Sequence, residues 1–205
     1  MTFKEYLANT FGCNEPIFFE DIKFEDYSRT WTFSALKKLI NTGEIKRFDT
    51  GVYFIPIKMP FGDSLLSPQK VVERKFISYG DDVYGYVAGL ALMNGAGLTT
   101  QMPNIVEIVT NNEATRGRSI NIGRKRVKVR RSRTHVSNEN VAALRLLELI
   151  NYIKLSTLDR NDQLMLKKFV RNSGATHQDV IEYSAVFPST VSKKLLESGI
   201  LYELA

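Results

Sequence analysis

Basic and polar side chains that could bind the phosphates and base edges of a nucleic acid concentrate in two stretches of this sequence. Residues 29–56 combine Arg, Lys, Ser, Thr and Asn with a regular apolar repeat, and residues 116–133 hold nine basic residues and no acidic one. The other 187 residues carry 19 basic and 22 acidic side chains, so the second stretch supplies the whole positive excess of a chain with net charge +6. A concentrated cationic field favours a polyanionic partner such as DNA or RNA.

The first stretch predicts a helix followed by a tight β-hairpin. Thr30 or Thr32 can cap the start of the helix, because a side-chain oxygen there accepts a hydrogen bond from a free backbone N–H, and Gly43 can end it in a left-handed conformation. A hairpin over residues 45–55 follows, with its turn at residues 49–51. A helix, a stop and a hairpin in this order form the end of a winged helix-turn-helix, a module that reads DNA.

The predicted helix has two faces when residues are placed at about 100° intervals. One face is apolar and predicts a core contact; it consists of Phe33, Leu36, Leu39 and Ile40. A solvated helix without a ligand also carries Ser, Lys and Asn on its other face, but an outward Trp31 favours a contact surface. The DNA-contacting residues predicted from this stretch are Arg29, Thr30, Trp31, Ser34, Lys37, Lys38, Asn41, Lys46 and Arg47.

The second stretch predicts a β-hairpin with one basic face. Residues 118–122 and 126–131 alternate in type around the turn 123–125, so the isoleucines and valines point one way and the basic residues the other. A solvated strand face alternates in the same way, but we expect no acid to neutralise these charges, which favours contact with nucleic acid. The residues predicted to bind phosphates here are Arg124, Lys125, Arg126, Lys128 and Arg130.

The rest of the chain predicts an α+β protein of two domains. Residues 1–58 form the winged helix-turn-helix domain, with helices at 2–11 and 20–23 before the reading helix, and a Pro/Gly linker over 58–63 marks its end. Residues 64–205 form a mixed α/β domain with the basic hairpin and a helical C-terminal part. Its predicted elements include helices over 68–78, 84–93 and 140–153 and a strand over 105–110.

The helical C-terminal part contains a partial repeat. Residues 190–200 echo residues 35–45, since both contain Lys-Lys-Leu followed at a similar distance by glycine. This echo leaves two interpretations open: a second helix-turn-helix, or an element that packs in the core or binds a partner.

Signatures of catalysis and of metal binding do not occur in the sequence. Cys13 is alone, His135 and His177 have no ligand at metal spacing, and Gly95-Ala96-Gly97 is not followed by the Lys-Ser/Thr of a phosphate-binding loop. We therefore expect no enzyme activity and no cofactor. No segment is long and apolar enough to span a membrane, and the first residues lack the apolar centre of a signal peptide, so we expect a cytoplasmic protein with no membrane partner.

Three segments carry a resemblance to a known family: LKKLINTGEIKRFDTGVYFIP, GYVAGLALMNGAGLTTQMPNIVEIVTN and SINIGRKRVKVRRS. Residues 16–155 resemble the AbiEi-type antitoxins of type IV toxin–antitoxin systems. The specific part of the resemblance is the motif GLTTQ-x-P, followed by a strand ending in Thr and a basic hairpin. The resemblance implies a winged helix that binds repeats in its own promoter and a C-terminal domain that counteracts a nucleotidyltransferase-type toxin. It also implies neutralisation without a stable antitoxin–toxin complex.

The predicted function is therefore that of a bacterial DNA-binding autorepressor and antitoxin, with double-stranded DNA and a toxin as partners. In this hypothesis the winged helix and the basic hairpin contact the same face of the DNA. The alternative is a protein-interaction module that binds a partner directly through the basic hairpin.

Overall fold

The protein has an α+β fold, and its computed structural model describes residues 1–114 and 117–204. Arg116, the first basic residue of the cationic stretch, lies outside the described residues. Two compact units divide the chain: a first unit of Met1–Arg74 with Ile122–Arg124, and a second unit of Lys75–Asn121 with Lys125–Ala205. None of the described helices is both long and apolar enough to span a bilayer.

The first unit packs two helices on a small antiparallel sheet. Its elements in chain order are α1 (Phe3–Phe11), β1 (Ile17–Phe18), a 3-10 turn (Phe19–Asp21), α2 (Arg29–Asn41), β2 (Lys46–Asp49), β3 (Val52–Phe54), and the short hairpin β4 (Lys58–Met59) and β5 (Gly62–Asp63). The strand order is β1-β3-β2. Leu7, Ile17, Leu36 and Ile45 lie in its core and are almost completely buried.

Helix α2 and the β2–β3 hairpin lie where the sequence predicts them, but two details of the prediction are wrong. Ser28 caps α2, because its Oγ accepts a hydrogen bond from the backbone N–H of Trp31 at 3.2 Å. Thr30 and Thr32 lie inside the helix, and the Thr32 hydroxyl donates to the Ser28 carbonyl. The predicted second helix is only the 3-10 turn Phe19–Asp21, so a complete winged helix-turn-helix is not confirmed.

Helix α3 (Pro68–Phe76) begins at its proline, as predicted, and follows the short hairpin. Its first part belongs to the first unit, because the Lys70 ammonium pairs with Glu15 and the Arg74 guanidinium pairs with Asp21 at 3.1 Å. The first compact unit thus extends to Arg74, beyond the linker over residues 58–63 at which the sequence places a domain boundary.

The second unit is built on a four-stranded mixed sheet and a buried helix. Its elements are β6 (Ser78–Tyr79), β7 (Asp82–Val83), β8 (Gly85–Ala88), α4 (Gly89–Gly95), β9 (Ile105–Thr110), β10 (Arg118–Ile122), β11 (Lys125–Arg131), α5 (Val141–Tyr152), α6 (Arg160–Arg171), α7 (His177–Ser184) and α8 (Ser189–Ser198), with 3-10 turns at Leu155–Thr157 and Ile200–Glu203. The sheet order is β10-β11-β9-β8. Strand β9 runs parallel to β11 and antiparallel to β8.

The predicted helix over residues 84–93 is wrong for its first half. Gly85–Ala88 is a strand, and only Gly89–Gly95 is helical. A Cβ on Gly85 would lie 2.0 Å from the Phe76 carbonyl oxygen and 2.7 Å from that of Val109. The backbone at Gly85 therefore lies so close to two other segments of the chain that only a glycine fits. The close approach at Gly85 therefore belongs to a strand and not to a helix.

This close approach predicts a large difference between two glycine substitutions. Gly85→Ala should lower the free energy of unfolding by at least about 3 kcal/mol, the upper end for overpacking, because backbone atoms block the new methyl group. Gly95→Ala should raise the free energy of unfolding by about 0.5 kcal/mol, because alanine reduces the conformational entropy of the unfolded chain. The position is helical and exposed, and no atom lies within 4 Å of an added Cβ. Thermal unfolding followed by circular dichroism measures both, and equal melting temperatures would contradict the close approach at Gly85.

Candidate nucleic-acid interface

Helix α2 presents a continuous exposed face without an acidic residue. Thr32 and Leu36 are buried and fix the rotation of the helix about its axis. The opposite side is exposed to solvent and consists of Arg29, Thr30, Phe33, Ser34, Lys37, Lys38 and Asn41. Cationic groups and hydrogen-bonding hydroxyl and amide groups on one helix face can bind phosphates and the edges of bases.

The two aromatic residues of this helix exchange the places that the sequence predicts for them. Trp31 is only half-exposed, because its ring stacks on Tyr27 with a centroid distance of 4.0 Å and also on Phe24 at 5.8 Å. Phe33, expected in the core, is 55% exposed. Tyr27 and Phe24, which precede the helix, thus pack against the side of α2 that bears Trp31. The helix is therefore rotated about its axis so that Phe33 faces outward.

Several residues of the α2 face make local contacts that keep them at the surface. The Ser34 hydroxyl donates to the Thr30 carbonyl at 3.0 Å, a bond that a serine in a helix can exchange for a bond to a ligand. The Arg29 guanidinium lies over the Phe19 ring, 5.3 Å from its centroid. These contacts restrict the side chains without covering the face.

The β2–β3 hairpin contributes one basic residue in an ion pair and one placed on its turn. The Lys46 ammonium lies 3.0 Å from Asp63, which Lys58 also contacts at 2.8 Å. Hydrogen bonds from Lys58 and Lys46 hold the pKa of the Asp63 carboxyl below its usual range. The exposed Arg47 donates from its guanidinium to the Asp49 carbonyl and the Thr50 hydroxyl, so its charge sits at the turn.

The β10–β11 hairpin shows the predicted alternation. Val127 and Val129 are completely buried, while Arg126 and Lys128 on the intervening positions are exposed. The partner strand β10 ends in the buried Ile122. Arg126, Lys128 and Arg130 therefore share one face of β11, as expected from a period of two.

Acids from other elements neutralise part of this basic face, which the sequence does not reveal. Lys128 lies opposite Glu107 in the parallel register with β9, and their charged groups are 3.5 Å apart. The Arg130 guanidinium pairs with Glu148 of α5 at 2.6 Å, and the Glu148 side chain is only 4% exposed. The expectation that no acid neutralises these cations is therefore wrong for Lys128 and Arg130.

The exposed cations of the hairpin without an ion pair to any described residue are fewer than predicted. Arg124, Arg126 and Arg131 are exposed and have no ion pair within residues 1–114 and 117–204, whereas Lys125 is half-buried. Arg133, just after the hairpin, lies over the Phe187 ring with its guanidinium carbon 5.2 Å from the centroid. Among the hairpin residues predicted to bind phosphates, Arg124 and Arg126 are therefore the best placed to meet one.

No group of three or more His, Cys, Asp or Glu side chains in the described part of the chain is arranged to hold a metal ion. Comparison of the chain with protein-family models and with curated proteins finds no match. The resemblance to AbiEi-type antitoxins remains a prediction from the three quoted segments.

The buried position of Glu148 predicts that Arg130 stabilises the second unit. Arg130→Ala should lower the free energy of unfolding by about 3 kcal/mol, the lower end for a broken buried pair, because Arg130 itself remains partly in water. Arg126→Ala, four residues earlier on the same strand face, should change it by less than about 0.5 kcal/mol. Urea unfolding followed by circular dichroism measures both.

A third variant separates the role of the pair from the effect of side-chain truncation. In Arg130→Met with Glu148→Met both charges are replaced by apolar groups, so most of the lost stability should return. An Arg130→Ala protein as stable as Arg126→Ala would show that Glu148 does not depend on Arg130.

Proposed function

We propose that this protein is a DNA-binding transcriptional autorepressor that also serves as the antitoxin of a bacterial toxin–antitoxin operon in the cytoplasm. The observation that carries the DNA-binding half is the exposed face of α2, which holds three cations and no acid. The antitoxin half depends on the resemblance to AbiEi-type proteins.

Helix α2 has the size and the chemistry of a reading helix. Thirteen residues extend about 20 Å at 1.5 Å each, and a major groove about 12 Å wide admits a helix of this kind. Ser34 and Asn41 can hydrogen-bond to base edges from the middle of the exposed face. Arg29, Lys37 and Lys38 can bind phosphates at its borders, or guanine in the case of an arginine or lysine that reaches a base.

Arg47 on the β2–β3 turn and Arg126 on β11 supply positive charge outside the helix. Contacts of this type are made to phosphates and are independent of sequence, so they raise the affinity for any DNA. In this proposal α2 provides the selectivity for repeats in the promoter of the protein's own gene, and the surface arginines provide a share of the affinity.

The antitoxin half concerns the second unit. By its resemblance to the AbiEi-type family, this unit would counteract a nucleotidyltransferase-type toxin, and a stable complex with that toxin is not required. Repression and neutralisation would then be separable, and a substitution on α2 should leave neutralisation intact.

The α2 proposal predicts that Lys38→Ala weakens binding to promoter DNA about tenfold and weakens binding to random-sequence duplex less, because the residue lies on the reading face. Lys168→Ala is the matched control, since it also removes one positive charge from an exposed position on a helix, here α6. Fluorescence anisotropy with a labelled duplex from immediately upstream of the gene measures both. Equal affinities of the two variants for that duplex would contradict a reading role for α2.

A second candidate function is direct docking of a protein partner on the β10–β11 hairpin. The ion pairs of Lys128 and Arg130 favour it, because they make this strand face a mixture of charges rather than a uniform cationic strip. Such mixed surfaces fit a protein partner with complementary charges. The toxin is the partner that this candidate implies.

The variant Arg124→Glu with Arg126→Glu discriminates between the two candidates. If the hairpin binds DNA, affinity should fall for all duplexes, and the slope of log affinity against log salt should become shallower by about 2, since about 0.9 is lost for each phosphate contact. If it docks a protein, DNA binding should be unchanged and co-purification with the toxin should be lost. Avoiding Arg130 keeps Glu148 paired, so unfolding does not confuse the result.

A further inference from the structure

Phe33 is the one feature of the exposed α2 face that general attraction to phosphates does not explain. All of α2 is described, and within it Phe33 is the only large apolar side chain that is mostly in solvent. A phenyl ring has no hydrogen-bonding group and no charge, so it cannot pair with a phosphate. A ring in this position indicates an apolar group on the partner.

Phe33 lies between two cations in the row of the exposed face that borders the buried Thr32 and Leu36. Arg29, Phe33 and Lys37 follow one another at intervals of four residues and form one row along the helix. Thr30, Ser34 and Lys38 form the neighbouring row. A partner that meets these cations and hydroxyl groups therefore meets the phenyl ring at the same time.

Contacts within the first unit restrict the ring to this outward position. Phe33 meets Phe19 edge to face, with centroids 6.4 Å apart and planes inclined at 79°. The Arg29 guanidinium also lies over the Phe19 ring, 5.3 Å from its centroid. The Phe33 side chain is therefore oriented before a partner arrives, which reduces the entropy lost on binding.

The edges of bases in the major groove offer one prominent apolar group, the C5-methyl of thymine. We propose that Phe33 is a specificity-determining residue that contacts a thymine methyl group in the major groove. This inference rests on the proposed DNA-binding function and adds to it a preference for thymine at one position of each half-site. The acid-free and cationic surroundings favour DNA over a protein as the partner of this face.

The experiment removes the methyl group from the DNA and the ring from the protein. A duplex is first selected by the wild-type protein from a random-sequence pool. Each thymine in it is then replaced in turn by deoxyuridine, which lacks only the C5-methyl. Wild-type affinity should fall about fourfold at one thymine per half-site, the effect of one buried methyl-sized group, and should be unchanged at the others.

Three variants connect this effect to Phe33. Phe33→Ala should bind the thymine duplex more weakly and should no longer distinguish thymine from uracil at the sensitive position. Phe33→Leu should retain a reduced preference, because it keeps an apolar contact. Phe61→Ala is the control: it removes a phenylalanine that is 103% exposed on the β4–β5 turn, and it should respond to uracil as the wild type does. Melting curves verify that each variant is folded.

The possible failures are distinguishable. Selection of a preferred duplex without any response to uracil, or an undiminished response in Phe33→Ala, would overturn the role of Phe33 and leave DNA binding by α2 intact. Binding without any sequence preference would also overturn it. Failure to bind any duplex would overturn the proposed function itself. An unchanged uracil response in Phe33→Ala, together with a smaller species in sedimentation velocity, would show that Phe33 contacts a second copy of the chain instead.

Discussion

The rotation of α2 about its own axis is the constraint on which the candidate interface depends. Two contacts set it: Leu36 is buried in the core of the first unit, and Trp31 stacks on Tyr27 and Phe24. A rotation by one residue position, about 100°, would replace Phe33 and Lys37 on the exposed face by other side chains. The aromatic stack therefore determines indirectly which functional groups a partner encounters, although Trp31 itself is half-covered.

Local sequence charge overstates the cationic character of the hairpin. Nine basic residues in 18 positions suggest a strong field, but β9 brings Glu107 to Lys128 and α5 brings Glu148 to Arg130. The pair with Glu148 lies mostly out of water, so its two charges cancel at short range and contribute little to attraction of a distant polyanion. The remaining unpaired cations, Arg124 and Arg126 among them, suit phosphate contacts of moderate number rather than a continuous channel.

Elements with strong local signals could be predicted from the sequence, and those that depend on distant partners could not. The strand Ile105–Thr110 and the β10–β11 hairpin have β-branched alternation, a terminating turn and few competing patterns, and they lie where predicted. Residues 85–88 were predicted to be helical because Gly and Ala do not distinguish a helix from a crowded strand. Pairing with β9 makes this segment a strand, and the carbonyls of Phe76 and Val109 leave no room for a side chain at Gly85.

In the candidate interface, too, the features set by local sequence were predictable and those set by distant residues were not. The cations of α2 were predictable from helical periodicity, since Lys38 lies opposite the apolar positions and Lys37 lies at their edge, and both are exposed. The exchange of Trp31 and Phe33 was not predictable, because periodicity places Phe33 on the apolar face and Trp31 on the opposite one. The packing is set instead by Phe24 and Tyr27, which are outside the helix. The partners of Lys128 and Arg130 are likewise set by strand register and helix packing, neither of which the hairpin sequence contains.

Residues 35–45 and 190–200 share the Lys-Lys-Leu motif, but the motif has different surroundings in the two helices. In α2 both lysines of Lys-Lys-Leu are exposed, whereas in α8 the second, Lys194, donates three hydrogen bonds to the carbonyls of Ile150, Asn151 and Ile153 at the end of α5. Burial lowers the pKa of Lys194, but the carbonyls at a helix C-terminus favour its ammonium form.

This lysine therefore closes α5 rather than facing a ligand. Of the pair, only Lys193 is exposed, and it lies 3.6 Å from Glu197. The same tripeptide thus places both lysines at the surface of one helix and one lysine at the end of a neighbouring helix in the other. The difference argues for packing as the role of the Lys-Lys-Leu motif in α8, and for α2 as the helix with the stronger claim to DNA.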